Sequence, residues 1–355
     1  MNTEIPFSSN YNLSPEFVKQ KILPQYNLQN SKVSMVKFKD TDKQRAVYKV
    51  KGDEENYCLK KVYYDTNDLL YIYSAIEWLY QHNINVPKLL PTTTKSRFVL
   101  YDNMLFILTP WIDGEKCSFD NRQHVDLSIK TLANIHLVSK NFYPINSSSS
   151  KIGFDDYYIS TLKHFKDLLK ASNEAFKYKD NFSKDFLDSF DLNIKLAKIS
   201  LYISSKIDNT DLSISLCHGD YVNKNIIFTN EDNVWIIDFD KCKKDYCARD
   251  LSYFMRRILK RENTNWDSNL ALSILKNYSS IKALSSSDLR YITAYICFPQ
   301  KYWKISRDYY RNVIKCNKPA FRKLLLTATS KSQEQYKFTL EIIDKIQKQF
   351  NIQLF

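Results

Sequence analysis

The alternation of apolar and polar positions divides the chain into a strand-rich beginning and a helix-rich remainder. Ser14-Pro15-Glu16 is a helix start, with Ser as N-cap, Pro in the first turn and an acid behind it, and the helix is expected to stop before Pro24. Alternation from Val33 to Phe38, followed by runs at Arg45–Lys51 and Tyr57–Tyr63 around the polar turn Gly52-Asp53-Glu54-Glu55, predicts a small antiparallel sheet. Leu70, Tyr73, Ile76 and Tyr80 share one face of a predicted helix over 68–81, and strands follow near 97–101 and 104–108. Helical spacing then covers 125–139, an amphipathic pair within 154–205, and most of 270–355. Inside this helical part stand two short apolar runs, Ile226-Ile227-Phe228 and Val234-Trp235-Ile236-Ile237. The polar turn Thr229–Asn233 between them predicts a hairpin.

The expected class is therefore α+β, with residues 1–112 as an N-terminal lobe carrying the sheet and 113–355 as a helical lobe carrying the hairpin. At 355 residues two lobes are the default, since one core becomes uncomfortable at this length. The net charge is +13. An anionic partner would account for it, but Lys far outnumbers Arg while Asn, Ile and Tyr abound, which is the usage of an AT-rich genome. The cations are spread and no nucleic-acid module is recognisable, so nucleic acid is not an expected partner. Seven cysteines, with no C-x-x-C pair, suit a reducing compartment. Cys242 and Cys247 lie close in sequence, but no His or second pair nearby completes a zinc site. The first residues lack a basic start and an apolar run, and no stretch approaches membrane-spanning length. A cytoplasmic protein is expected, with no membrane partner.

The candidate chemistry sits at the ends of the hairpin. Asp220 precedes it and Asp238 follows it, so strand pairing should bring Asp220, Asn225 and Asp238 to one spot. Phosphoryl transfer needs such a set, because positioning and charge neutralisation carry that reaction. Asp220 can accept the proton of an attacking hydroxyl. Asp238, with Asp240 beside it, can hold a divalent cation, and Asn225 can offer a neutral oxygen to a second one. Such hard oxygen ligands suit Mg²⁺. The run His218-Gly219-Asp220, four residues, Asn225, and later Asp238-Phe239-Asp240 parallels the kinase pattern H-R-D-x₄-N and D-F-G.

On these residues, with LANIHLVSKNF, RDLSYFMRRILKR and FPQKYWKISRDYY, the chain resembles the aminoglycoside-phosphotransferase and choline-kinase-like branch of the protein-kinase-like fold. Within that branch it is most similar to CotS-type spore-coat proteins. The resemblance implies ATP and Mg²⁺ as cofactors and a small-molecule hydroxyl as acceptor. It also implies other spore-coat proteins as partners, with the chain incorporated in the coat. Lys60 in Cys58-Leu59-Lys60 is similar to the strand lysine that binds the α/β-phosphates. Only one of Lys60 and Lys61 can point into the cleft on alternating faces. Glu77 is the available partner for that lysine on the following helix, although it lies about one turn late. Thr109, Pro110 and Trp111 resemble the hinge that meets adenine, with Trp111 as amide donor because Pro110 has none. Asp250 resembles the buried acid that braces the catalytic loop, and His136 has the character of a structural helix histidine.

Two departures shape the expected function. No glycine occurs between Phe38 and Ala46, where kinases cover the phosphates with a Gly-rich loop; Lys43 and Arg45 are the available electrostatic substitutes. Only residues 239–249 separate Asp238 from Asp250, too few for the activation segment with which a protein kinase docks a polypeptide. The expectation is a small-molecule phosphotransferase, with a structural coat protein of weak or lost activity as the alternative. Lys301, Lys304, Arg307 or Arg311 is expected to contribute to capture of an anionic or polyhydroxylated acceptor, with a packed aromatic face and a solvated basic edge as the alternative.

Overall fold

Local chemistry sets the first element. The Ser14 hydroxyl accepts the Phe17 N–H, and helix α1 (Pro15–Lys21) ends ahead of the 3₁₀ turn Leu23–Tyr26. The computed structural model describes residues 13–39, 44–230 and 233–355; Lys43 lies outside the described residues. Strands β1 (Lys32–Lys39), β2 (Arg45–Lys51) and β3 (Asn56–Lys61) lead to helix α2 (Thr66–Gln81) and strands β4 (Val99–Tyr101), β5 (Met104–Pro110) and β6 (Glu115–Lys116). Helices α3 (Arg122–Val138), α4 (Tyr157–Tyr178), α5 (Asn181–Asp188) and α6 (Phe190–Ser204) follow. Then come strands β7 (Ile214–Cys217), β8 (Ile226–Phe228), β9 (Val234–Ile236) and β10 (Lys243–Tyr246). The chain closes with α7 (Cys247–Leu259), α8 (Ser268–Ser279), α9 (Ser286–Cys297), α10 (Gln300–Arg311), α11 (Lys318–Thr329) and α12 (Ser332–Phe350). No helix among the described residues is long and apolar enough to cross a membrane.

Two compact units are formed, one from Met1–Glu115, Tyr143–Ser150 and Thr229–Ile237, the other from Lys116–Phe142, Lys151–Phe228 and Asp238–Phe355. The first holds a five-stranded antiparallel sheet in the order β1-β2-β3-β5-β4. Alternate positions of β2, namely Ala46, Tyr48 and Val50, are fully buried, as period-two patterning requires. The Tyr48 hydroxyl donates to the Leu13 carbonyl at 2.7 Å, tying the N-terminal segment to the sheet.

The second unit is helical, with one two-stranded antiparallel ribbon made of β7 and β10. Where the sequence suggests a single amphipathic pair over 154–205 there are three helices. Asp156 and Asp180 cap two of them and supply the break. Aromatic faces hold this part together: Phe186 stacks on Tyr302 with ring centroids 4.9 Å apart, and Phe182 on Tyr309 at 3.7 Å. Ser285 and Asp288 form a reciprocal capping box at the start of α9, and Asp288 also accepts from Ser213 just before β7.

These contacts rank two substitutions. Phe186→Ala empties a fully buried, stacked position and should cost about 3–5 kcal/mol. Ser285→Ala removes one cap and should cost about 1 kcal/mol. Urea unfolding of the two variants checks the order, and equal losses would contradict it.

Candidate active site

The loop that carries Asp220 leaves β7 at Cys217 and is held from behind. Asp250, in the first turn of α7 and 2 % exposed, accepts the His218 N–H at 2.6 Å and the Gly219 N–H at 3.0 Å. Burial would raise this carboxyl. The nearby His136 and the His218 N–H outweigh burial and hold it below the ordinary range, so it stays an anion. A negative side chain in the first turn also suits the helix dipole. Asp250 therefore does what the Arg249-Asp250-Leu251 resemblance implied.

Gly219 has φ +74°, and a Cβ there would lie 2.5 Å from the Lys241 carbonyl oxygen. The loop and the 3₁₀ turn Phe239–Lys241 approach so closely that only glycine fits. This contact, with the His218 ring 4.7 Å from that of Phe239, sets the residues after Asp238 against the loop. Asp238 itself is left-handed, φ 69° and ψ 60°, a conformation that a non-glycine residue adopts at a cost of order 1–2 kcal/mol. Asp220 is 9 % exposed, and its Oδ2 lies 3.6 Å from Lys224 Nζ and 3.5 Å from Lys241 Nζ. Asn225 donates its amide N–H to the Asp220 carbonyl at 2.9 Å, which leaves its amide oxygen as the acceptor. Asp240 is buried, and its carbonyl accepts from Lys151 Nζ at 3.2 Å.

Behind Asp250 stands a cluster that spacing along the chain did not reveal. His136, Cys217 and Cys247 are buried, with their ligand-type atoms within 4.8 Å of one another. His136 Nε2 is 3.6 Å from Asp250 Oδ2, and Nδ1 is 2.8 Å from the Tyr278 hydroxyl. The cysteine near a histidine is thus Cys247 with Cys217, not with Cys242, because residues some 80 and 110 positions from His136 meet only in the fold. Burial would lower the His136 imidazole, but Cys247 and Asp250 outweigh it and raise it to about 9. Burial would raise the Cys247 thiol, but the Cys217 hydrogen bond and the imidazolium bring it down to about 5. Cys247 is the first residue of α7, where the helix dipole also favours thiolate. None of the seven cysteines forms a disulfide.

Among the residues of the first unit, Lys61 Nζ donates to the Gln44 carbonyl at 2.9 Å. Lys60 occupies the opposite face of β3, across from Val47 and Ile107. Two expectations need correction. Glu77 lies 3.5 Å from Lys88 Nζ, so its ion pair is with Lys88 and not with Lys60; its position one turn late in α2 turns it that way. The Trp111 N–H donates to the Asn56 carbonyl at 2.9 Å, extending the β3–β5 ladder by one bond, so that amide is already engaged. Pro110 and Thr109 continue β5 opposite Tyr57 and Cys58.

The basic stripe of α10 divides. Lys301 and Lys304 line a cavity of about 350 Å³ in the second unit. Arg307 instead turns to Asp308 at 2.6 Å and stacks over Trp303, and Arg311 is exposed.

A family model described as spore coat putative kinase YutH matches residues 20–342. The chain is also similar to solved structures over nearly its whole length. An aminoglycoside phosphotransferase from Alicyclobacillus acidocaldarius subsp. acidocaldarius DSM 446 superposes with a TM-score of 0.76 at 18 % identity, covering 98 % of each chain. A spectinomycin phosphotransferase in complex with ADP and spectinomycin gives 0.62 at 17 % identity, covering 93 % of this chain and 99 % of that one. A microcompartment-associated aminopropanol kinase gives 0.58 at 13 % identity, covering 96 % and 99 %. The fold is the α+β protein-kinase-like fold of the small-molecule phosphotransferases.

The buried pair behind the loop predicts a pH profile. His136, raised from 6.5, stabilises fully below 6.5 and loses that contribution as pH rises through about 9. Cys247, lowered from 9.0, stabilises above 9.0 and loses its contribution as pH falls through about 5. Together they cancel between about 6.5 and 9 and leave a net loss from 6.5 down to 5. The stability difference between wild type and Cys247→Ser should be level over the first window and shrink in the second. Thermal unfolding across pH 5–9 measures it, and a difference constant down to pH 5 would mean that the thiol is neutral.

Proposed function

From the premise that the chain belongs to the YutH spore-coat kinase family, we propose that it is an ATP- and Mg²⁺-dependent phosphotransferase acting on a hydroxyl of a small molecule. The observation that carries this reading is the braced loop. Asp250 clamps the two amides before Asp220, and Asn225 locks the Asp220 carbonyl. The base is thereby presented by a backbone that does not have to reorganise. Asp220 orients the acceptor hydroxyl and takes its proton as that oxygen attacks the γ-phosphorus. The bond to the β–γ bridging oxygen breaks and ADP leaves. Lys224 and Lys241 each lie within 3.6 Å of the Asp220 carboxylate and hold it in place.

Asn225, Asp238 and Asp240 offer oxygen atoms only, the donor set that suits Mg²⁺ better than a thiophilic ion. The ion supplies neutralisation of the phosphate oxygens when bound. Lys60 is assigned to the α/β-phosphates, since Lys61 is engaged by Gln44. Thr109 and Pro110 are assigned to the adenine side, with Trp111 contributing its ring rather than its N–H. That ring is held by Lys49 Nζ, 4.5 Å from its centroid. The acceptor is a small molecule, because the 239–249 connection is folded into a turn and β10 and leaves no segment for docking a polypeptide. The family match supports a location in the spore coat, with other coat proteins as partners.

A second reading, a coat protein of this fold with weak or lost activity, draws on Glu77. Its carboxylate pairs with Lys88, 3.5 Å away, rather than taking the part of the helix carboxylate that the kinase resemblance implied.

The two acids separate these readings. Asp220→Asn should retain Mg²⁺-dependent ATP binding while turnover falls by roughly 10²–10⁴. Asp238→Asn should weaken both. Calorimetric titration of Mg·ATP beside turnover on a panel of sugars, cyclitols and amino alcohols gives the answer. Equal loss of nucleotide affinity in both variants would overturn the assignment, and absence of turnover in wild type with bound ATP would favour the coat reading.

A further inference from the structure

Six cations surround the 350 Å³ cavity of the second unit: Arg256, Arg257, Lys260, Lys301, Lys304 and Lys331. Glu262 is the single acid in its lining, and none of the six makes an ion pair with a carboxylate among the described residues. The chain's general excess of Lys does not explain this concentration. Helix dipoles explain only part of it. Arg256 and Arg257 lie in the last turn of α7, where positive charge is favoured. Lys301 lies in the first turn of α10, where it is disfavoured. That turn has no acid, and its N-cap, Pro299, makes no side-chain cap. Lys331 likewise stands at the N-cap of α12 without a capping bond.

The cations are also positioned rather than merely near. Arg256 donates to the Tyr295 and Phe298 carbonyls at 3.0 and 2.8 Å. Arg257 donates to the Tyr253 hydroxyl at 2.5 Å, and its Nε is buried without an acceptor. Partial burial, then Lys301, Arg256 and Arg257, push Lys260 down to about 8, as expected of like charges gathered without a counter-charge. A concave site of one sign focuses the field and concentrates an oppositely charged ligand.

We propose that this cavity binds an oxyanion, a phosphate or carboxylate group, and that the group is the far end of the acceptor. The acceptor role rests on the phosphotransferase reading, while the anion pocket does not. Both ends of the arrangement hang on α7: Asp250 holds the catalytic loop, and Arg256 lies six residues further along, about 9 Å at 1.5 Å per residue. That spacing along α7 sets the scale for an acceptor that engages both ends at on the order of 10 Å, the size of a phosphorylated or carboxylated metabolite. The same charges disfavour an amine-bearing acceptor.

The test has two arms. Pyrophosphate is titrated calorimetrically into the full chain in EDTA, so that no metal-bridged nucleotide site contributes. Wild type should bind it saturably at one site. The variant Lys260→Ala/Lys301→Ala/Lys304→Ala, changed at exposed side chains that leave the core intact, should weaken binding by roughly tenfold or more. A charge-matched control, Lys163→Ala/Lys276→Ala/Lys323→Ala, should leave it unchanged. No saturable binding by wild type, or equal loss in the control, overturns the pocket. In the second arm, ATP consumption is followed with anionic and cationic fractions of a metabolite pool. Consumption with the anionic fraction, with KM raised and kcat kept in the triple variant, supports the acceptor role. Consumption with the cationic fraction alone overturns it. Silence from every fraction overturns the phosphotransferase reading and the acceptor role with it, and the pyrophosphate titration then decides the pocket alone.

Discussion

One buried carboxylate organises the second unit. Asp250 reaches from the first turn of α7 to two consecutive backbone amides, and a bidentate anion on paired N–H groups is among the stronger hydrogen-bonding arrangements available inside a protein. A buried negative charge is tolerated only if it is fully paired. The loop amides supply part of that pairing and the imidazolium of His136 supplies the rest, itself balanced by the Cys247 thiolate. The chain of charges runs from a core helix to the residue before Asp220. The rigidity of the candidate base is thus a property of the core and not of the loop sequence.

Much of this was legible in the sequence, for a definite reason. The candidate catalytic residues sit within one short span, so their spacing is local and survives being read without coordinates. Asp250 was within reach because it follows closely as well. Alternation of Ala46, Tyr48 and Val50 likewise announces a sheet with one buried face. What could not be seen are pairings decided across long separations. The β7–β10 ribbon joins four-residue strands too short to declare themselves. The His136–Cys217–Cys247 cluster gathers residues from α3, β7 and α7, which no motif spacing connects. The engagement of the Trp111 amide by Asn56 depends on strand register, and the turn of Glu77 toward Lys88 on helical phase. Each is settled by one residue of shift that a pattern does not resolve.

The same distinction separates the two ends of the chemistry. Around Asp220 the N–H groups of His218, Gly219 and Asp220 and the Asp220 carbonyl are all committed, and the arrangement is tight enough to require glycine at 219. In the first unit, the residues matched to nucleotide contacts in kinases are partly diverted to other partners. Lys61 is held by Gln44, Glu77 by Lys88 and Trp111 by Asn56. The half that resembles an acid–base centre is fully built, while the half that resembles a nucleotide grip follows its own local bonding.

The short connection between Asp238 and α7 has a consequence for control. In it the chain passes directly from the 3₁₀ turn to β10 and into the helix that carries the brace. Nothing in that stretch has to be ordered by a covalent signal before the loop takes its shape, because the shape is complete once the core has folded. A protein built this way has no internal off state at this point. The geometry around Asp220 then follows from folding alone, with nothing that must be added to this stretch afterwards.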